Sequence, residues 1–214
     1  MLDARSLELV LQPLRPRCYT GRIVPVAIAR MSYADYLAFE AASETKHEYI
    51  NGEVFAMAGG TISHGALGVA VSTALSNALR DRPCRVLSSD VRVRSKVTGI
   101  ATYPDVTVVC QNIEVDDEDK HGVLNPRLIV EVLSESTEGY DRGAKAAHYR
   151  RIASLREYVL VAQDEPRIEV YRRNERDKWE LYSEARRGEA AEITSCGEPI
   201  FLEVDAIYRD PLAG

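Results

Sequence analysis

The sequence predicts an α/β or α+β domain built around a mixed central β-sheet flanked by helices, and three observations carry that expectation. Residues 128–133 read Leu-Ile-Val-Glu-Val-Leu, apolar at both alternating positions, as in a strand covered on both faces. Leu67, Val71, Leu75 and Leu79 recur every fourth residue, the stripe of an amphipathic helix. Beyond residue 156, alternating pairs such as Val159 with Val161 and Ile168 with Val170 read as successive strands. Helices and strands interspersed around one core define the class.

At 214 residues, with 45% hydrophobic and 28% charged, the chain can bury a single sizeable core. No apolar run approaches the roughly 20 residues of a membrane span, and the first residues lack a signal-peptide pattern. The reading is therefore one cytoplasmic domain, residues 30–214, preceded by a partly mobile N-terminal extension, residues 1–29, in which Pro13, Pro16 and Pro25 interrupt a weak periodicity. Cys18, Cys84, Cys110 and Cys196 show no metal-ligand spacing and read as reduced thiols.

A formal net charge of −6 argues against non-specific coating of nucleic acid, which needs local cationic density. Such density exists in two places. Arg142, Lys145, Arg150, Arg151 and Arg156 gather around one helix, while Arg92, Arg94 and Lys96 alternate along one strand. Arg142, Arg92 and Arg94 are the candidate DNA contacts; the alternative is that both clusters are solvated faces. The acidic run from Glu114 to Asp119 would repel a polyanion.

Taken in order, Ser32 is an N-cap with Asp35 three residues on, opening a helix that ends near Ser43. Residues 47–57 form two short strands joined by Asn51-Gly52, the signature of a type I′ hairpin turn. Gly59, Gly60 and Ser63 separate this hairpin from the helix carrying the Leu67 stripe, which runs to about Arg80. His64 stands at its N-terminal end, either beside amides that could bind an anion or filling a capping position. A strand spans Cys84 to Val97, with Val91 and Val93 buried and Arg92 and Arg94 on a charged face; Asp90 reads as a turn residue. The strands led by Asp105 and by Arg127 follow. Asp141 then reads as the N-cap of a helix that carries Lys145, His148 and Tyr149. Strands at 157–162, 167–173, 178–183 and 199–204 complete the chain.

The chemistry concentrates on two buried-looking strands. Glu131 lies where an uncompensated charge is costly, and Asp105 opens the other apolar run, Val106 to Val109. Two carboxylates can hold a hard divalent ion, and a lysine nearby can orient water or stabilise charge on a phosphate. Lys145, on the helix that follows, is the third member. These residues equally describe a buried cluster that balances its own charge.

The ordered succession His47-Glu48-Tyr49-Ile50-Asn51-Gly52-Glu53-Val54, His64, Ser89-Asp90-Val91-Arg92-Val93, Tyr103-Pro104-Asp105-Val106, Val130-Glu131-Val132-Leu133-Ser134, Asp141-Arg142-Gly143-Ala144-Lys145 and Ser154-Leu155-Arg156-Glu157-Tyr158 resembles the Uma2 family over about residues 30–205. That family is a group of bacterial endonucleases in the PD-(D/E)XK superfamily. The resemblance implies a restriction-endonuclease-like core and Mg²⁺-dependent hydrolysis of DNA, with Mn²⁺ as a substitute. Pro104-Asp105 matches the PD, and Glu131 matches the following acid. Leu133 stands where the plain motif has its lysine, so Lys145 is the candidate for a displaced one. Glu48 matches an acid that adds to the metal ligands, giving Asp105, Glu131 and Glu48 as candidate metal ligands. His64 and Asp141 are secondary candidates for the site. Cleavage of both strands implies a homodimer. The second reading is a catalytically silent nucleic-acid-binding or regulatory protein on the same fold.

Overall fold

The computed structural model describes residues 28–57 and 59–210. The chain divides into two compact units, one ending at Ala58 and the other beginning at Gly59. Residues 1–27 of the expected N-terminal extension lie outside the described residues.

In the first unit, β1 (Ala29–Arg30) precedes helix α1 (Tyr33–Ala42). The Ser32 hydroxyl accepts the Asp35 amide at 3.1 Å and so caps α1 as predicted. Strands β2 (His47–Ile50) and β3 (Glu53–Ala56) form the hairpin, and β1 pairs with β3. Its turn residues Asn51 and Gly52 have φ of 50° and 90°, the positive pair that a type I′ turn requires. Tyr33, Tyr36 and Tyr49 stack between helix and hairpin, and the Tyr36 hydroxyl donates to the His47 carbonyl at 2.7 Å.

The second unit starts with α2 (Ile62–Ala78), capped by Thr61, whose hydroxyl accepts the His64 amide at 3.1 Å. The stretch expected as one strand from Cys84 to Val97 breaks into β4 (Cys84–Ser88) and β5 (Arg92–Ser95), with Asp90 in the intervening turn. β5 pairs antiparallel with β6 (Ile100–Thr102) and parallel with β8 (Gly122–Val123). The main sheet is mixed. It runs in the order β12 (Trp179–Arg186), β11 (Arg167–Arg173), β10 (Glu157–Ala162), β9 (Leu128–Leu133), β7 (Val106–Cys110) and β4, with β9 and β10 parallel and the other pairs antiparallel. A hairpin of β13 (Ala190–Ile193) and β14 (Ile200–Glu203) and the short α4 (Val204–Ile207), which follows α3 described below, close the unit.

Side chains alternate across a strand, and this sheet uses both faces. Val106, Val108, Leu128, Val130, Val132, Val159 and Val161 pack in one core with Leu67, Val71, Leu75 and Leu79 of α2. Glu131 therefore falls on the opposite face, among Ile129, Leu133, Tyr158 and Leu160, all of them buried. That face meets α3, residues 138–149, which is α-helical over Glu138–Tyr140 and Ala146–Tyr149 and a π-helical turn over Asp141–Lys145. Asp141 is thus not an N-cap but the first residue of the π-turn. Such turns insert one residue into a helix, a feature that hydrophobic period does not reveal.

Charge and sulfur both depart from the expectation drawn from the sequence. Arg92 and Arg94 do not form a charged outer face: every residue of β5 is buried. Arg92 donates two hydrogen bonds to Asp119, at 2.8 and 2.6 Å, and one to Tyr103 at 2.7 Å. Arg94 donates to the Ile100 carbonyl at 2.9 Å and lies 3.5 Å from Asp116. The acidic run that would repel DNA is folded back onto these arginines, so neither serves as a free phosphate contact. The cysteines are not all thiols either. Cys84 and Cys110 face each other across β4 and β7 with Cα atoms 3.9 Å apart and are joined as a disulfide.

Candidate active site

The site forms where β7 begins. Pro104 has no amide hydrogen to offer a ladder, and the β7–β9 pairing stops at Val106 opposite Val130. The next acceptor for β9 is a side chain: Asp105 Oδ2 takes the Val132 amide at 2.7 Å. The Pro-Asp pair thus ends one strand and turns a carboxylate towards its neighbour. The Asp105 amide points at Glu131 Oε2 at 3.4 Å. Two carboxylates from adjacent strands are consequently side by side.

Glu131 is only 3% exposed. Its Oε1 receives the Lys145 ammonium at 2.9 Å and the Tyr149 hydroxyl at 3.0 Å. The Tyr149 oxygen also lies 2.9 Å from Thr102 Oγ1. Lys145 Nζ is 3.5 Å from Asp141 Oδ1, four residues earlier, so the lysine bridges two buried acids. The Tyr158 hydroxyl, donating to the Asp141 carbonyl at 3.0 Å, fixes the start of the π-turn against the sheet. Burial pushes the Glu131 carboxyl well above the ordinary carboxylate range, and the Lys145 charge opposes that rise. The nearby carboxylates of Asp141 and Asp105 add to the rise.

His64 Nε2 lies 3.0 Å from Asp105 Oδ1, with the two side chains 24% and 20% exposed. The hydrogen bond to Asp105 raises the imidazole above its usual 6.5, more than burial lowers it. Gly60 makes the ring's position possible, since a Cβ there would sit 2.9 Å from His64 Cδ2.

The second unit alone thus brings together Asp105, Glu131, Lys145, His64 and Asp141. Glu48 belongs to the first unit, buried on β2. Arg142 is drawn elsewhere: it forks onto Glu169 at 2.6 and 2.8 Å and reaches Glu138 at 2.7 Å, so its guanidinium is committed within the fold. Tyr149 was not singled out from the sequence for this role. Its signal was the spacing of Asp141, Lys145 and Tyr149 at successive intervals of four on one helix.

Asp105 and Glu131 offer hard oxygen donors, the ligand chemistry of Mg²⁺ and Mn²⁺. Asp105 is partly exposed beside His64, whereas Glu131 is buried with Asp105 and Asp141 nearby, and a further cation would offset the negative charge that Lys145 alone does not balance. The donor set fits a divalent metal.

The chain resembles known proteins in sequence and in fold. Residues 33–199 match the model of the Uma2 family, described as "Putative restriction endonuclease". Two uncharacterized proteins of Synechocystis sp. are similar: one is 35% identical over 84% of this chain and 92% of its own length, the other 36% identical over 76% and 91%. A solved structure from Anabaena variabilis, described as "a putative nuclease belonging to DUF820", superposes with a TM-score of 0.65 at 16% identity, over 86% of this chain and 98% of that one. By the length matched, this chain belongs to the Uma2 family.

Proposed function

We propose that this protein is a Mg²⁺-dependent endonuclease that hydrolyses DNA phosphodiester bonds through Asp105, Glu131 and Lys145. One observation carries the reading. Leu133 occupies the motif's lysine position, yet Lys145 arrives from a separate helix and places its ammonium 2.9 Å from Glu131. The trio of two acids and a lysine is thereby complete, and it stands beside Asp105, a carboxylate that is partly open.

The residues divide the work as follows. Asp105 and Glu131 would hold the metal, which when bound neutralises charge on the phosphate and lowers the pKa of water. Lys145 carries a fixed positive charge to the same place, where it orients the attacking water and offsets charge developing on the non-bridging oxygens. Tyr149 and Asp141 hold Glu131 and Lys145 in place. His64, hydrogen-bonded to Asp105, stands where it can pass a proton at the open side of the site. A homodimer would present two such sites to the two strands.

The test is cleavage of supercoiled plasmid, single-stranded DNA and RNA in Mg²⁺ or Mn²⁺ by the wild type, Asp105→Asn and Glu131→Gln. Loss of roughly 100-fold or more in both folded variants is expected. Wild-type cleavage by either variant would remove the assignment. Preference for RNA would change the substrate, and monomeric sedimentation would remove the dimer.

A further inference from the structure

At the other end of β7 from Asp105 lies a second cluster with different chemistry. The sulfurs of Cys84, Cys110 and Cys196 all fall within 4.8 Å of one another. They line a cavity of about 730 Å³ that contains none of the residues of the carboxylate site. Five residues of extended strand separate Asp105 from Cys110, about 17 Å at ~3.4 Å per residue.

The arrangement is built, since Cys196 is far from the other two in sequence and is brought to them by one buried and two half-buried charged groups. Glu157, fully buried on β10, accepts the amides of Thr194 and Ser195 at 3.1 and 3.0 Å and pairs with Arg172 at 2.7 Å. Arg127 Nε donates to the Ser195 carbonyl at 2.7 Å. Arg82 Nη1 donates to the carbonyls of Cys196 and Glu198 at 3.2 and 2.5 Å. Three charged side chains from three parts of the chain therefore hold one short loop, and that loop points a buried cysteine at two others.

We propose that Cys84, Cys110 and Cys196, when reduced, form a binding site for one soft metal ion of the Zn²⁺ or Cu⁺ class. Thiolates select such ions over Mg²⁺, and three protein sulfurs leave a fourth position open towards the cavity. The guanidinium groups of Arg82 and Arg127 beside the loop offset the surplus negative charge of three thiolates around a mono- or divalent ion. The disulfide and the metal site are alternative states of the same sulfurs. Opening Cys84–Cys110 takes two electrons and two protons from a dithiol reductant, which becomes a disulfide; the metal then displaces the three thiol protons. The bound ion ties β4, β7 and the 194–198 loop together as the disulfide ties only the two strands.

The test is anaerobic titration of the full-length protein with Co²⁺ after reduction, with four thiols per denatured chain first confirmed by a thiol reagent. A thiolate-to-metal charge-transfer band in the near ultraviolet that saturates at one sulfur-bound Co²⁺ per chain, and that Zn²⁺ displaces, is the expected result. The band persists in Asp105→Asn, which separates this site from the carboxylates, and is lost in Cys196→Ser and in Cys110→Ala. Two variants on different elements guard against one that fails to fold. Absence of the band in fully reduced wild type overturns the proposal, as does a band unchanged by both cysteine variants.

Discussion

Lys145 Nζ sits 2.9 Å from Glu131 Oε1, with both side chains almost wholly buried and both supplied by elements that the sequence alone does not join. The pair is asymmetric. Lys145 has a second acid in Asp141 at 3.5 Å, whereas the charge beside Glu131 comes from Lys145.

Removing the lysine should therefore hurt the fold more than neutralising the acid. Lys145→Ala strands a buried carboxylate and is expected to cost roughly 3–5 kcal/mol at neutral pH. Glu131→Gln leaves Lys145 with Asp141 and should cost less. The sign with pH follows from the raised Glu131 carboxyl. A proton held in the folded state stabilises it below the unfolded carboxylate value, and that contribution fades as pH rises through the folded value. Denaturation in EDTA should then show the Lys145→Ala deficit growing as pH rises above the unfolded carboxylate value. A pH-independent deficit would argue against a buried charge as its cause.

His64 should titrate above 6.5, because its hydrogen bond to Asp105 outweighs burial. Its ion pair stabilises the metal-free protein fully below that value and is lost as pH rises through the folded pKa. In Asp105→Asn the imidazole pKa should fall. Gly60→Ala should lower it too, since the new methyl would crowd the ring at 2.9 Å and turn it from Asp105. Histidine ring NMR reads both; an unshifted resonance in Asp105→Asn would deny the contact.

Tyr149→Phe deletes one donor to Glu131 and the partner of Thr102. A cost of about 1–2 kcal/mol in thermal unfolding is expected. If cleavage also falls while Mn²⁺ affinity holds, Tyr149 positions the acid for catalysis and not for metal capture.

Glu169 gives the opposite pH sign. Burial raises its carboxyl, but the forked Arg142 contact prevails and holds it below the usual range. Its contribution is present above the unfolded carboxylate value and disappears as pH falls through the lowered one. Glu169→Gln should remove roughly 1.5–3 kcal/mol at pH 7 and flatten the acid limb of the stability curve. An unchanged acid limb would show that Arg142 is not held by this pair in solution.

How much of this was legible depended on the range of the interaction. The cap at Ser32, the turn at Asn51-Gly52 and the double-sided burial of residues 128–133 are local and were read directly. Acids on two buried-looking strands and a lysine on the helix that follows put Asp105, Glu131 and Lys145 into one hypothesis before any resemblance was considered, and the fold sets them within hydrogen-bond reach. What escaped was decided by distant partners. Alternation marked Arg92 and Arg94 as an outward face, but an acidic loop more than twenty residues away covers them. Cysteine spacing said nothing of Cys84 meeting Cys110, because antiparallel register, not sequence separation, put them opposite each other.

The π-turn at Asp141–Lys145 bears on how relatives of this protein are judged. A residue added to or dropped from a helix turns everything beyond it by about 100°. A homologue could keep Asp105, Glu131 and Lys145 in perfect alignment and yet, by losing one residue within residues 141–145, swing Tyr149 away from the acid it serves. Whether a relative keeps the contact between Tyr149 and Glu131 therefore depends on the number of residues between Asp141 and Tyr149 as well as on their identity.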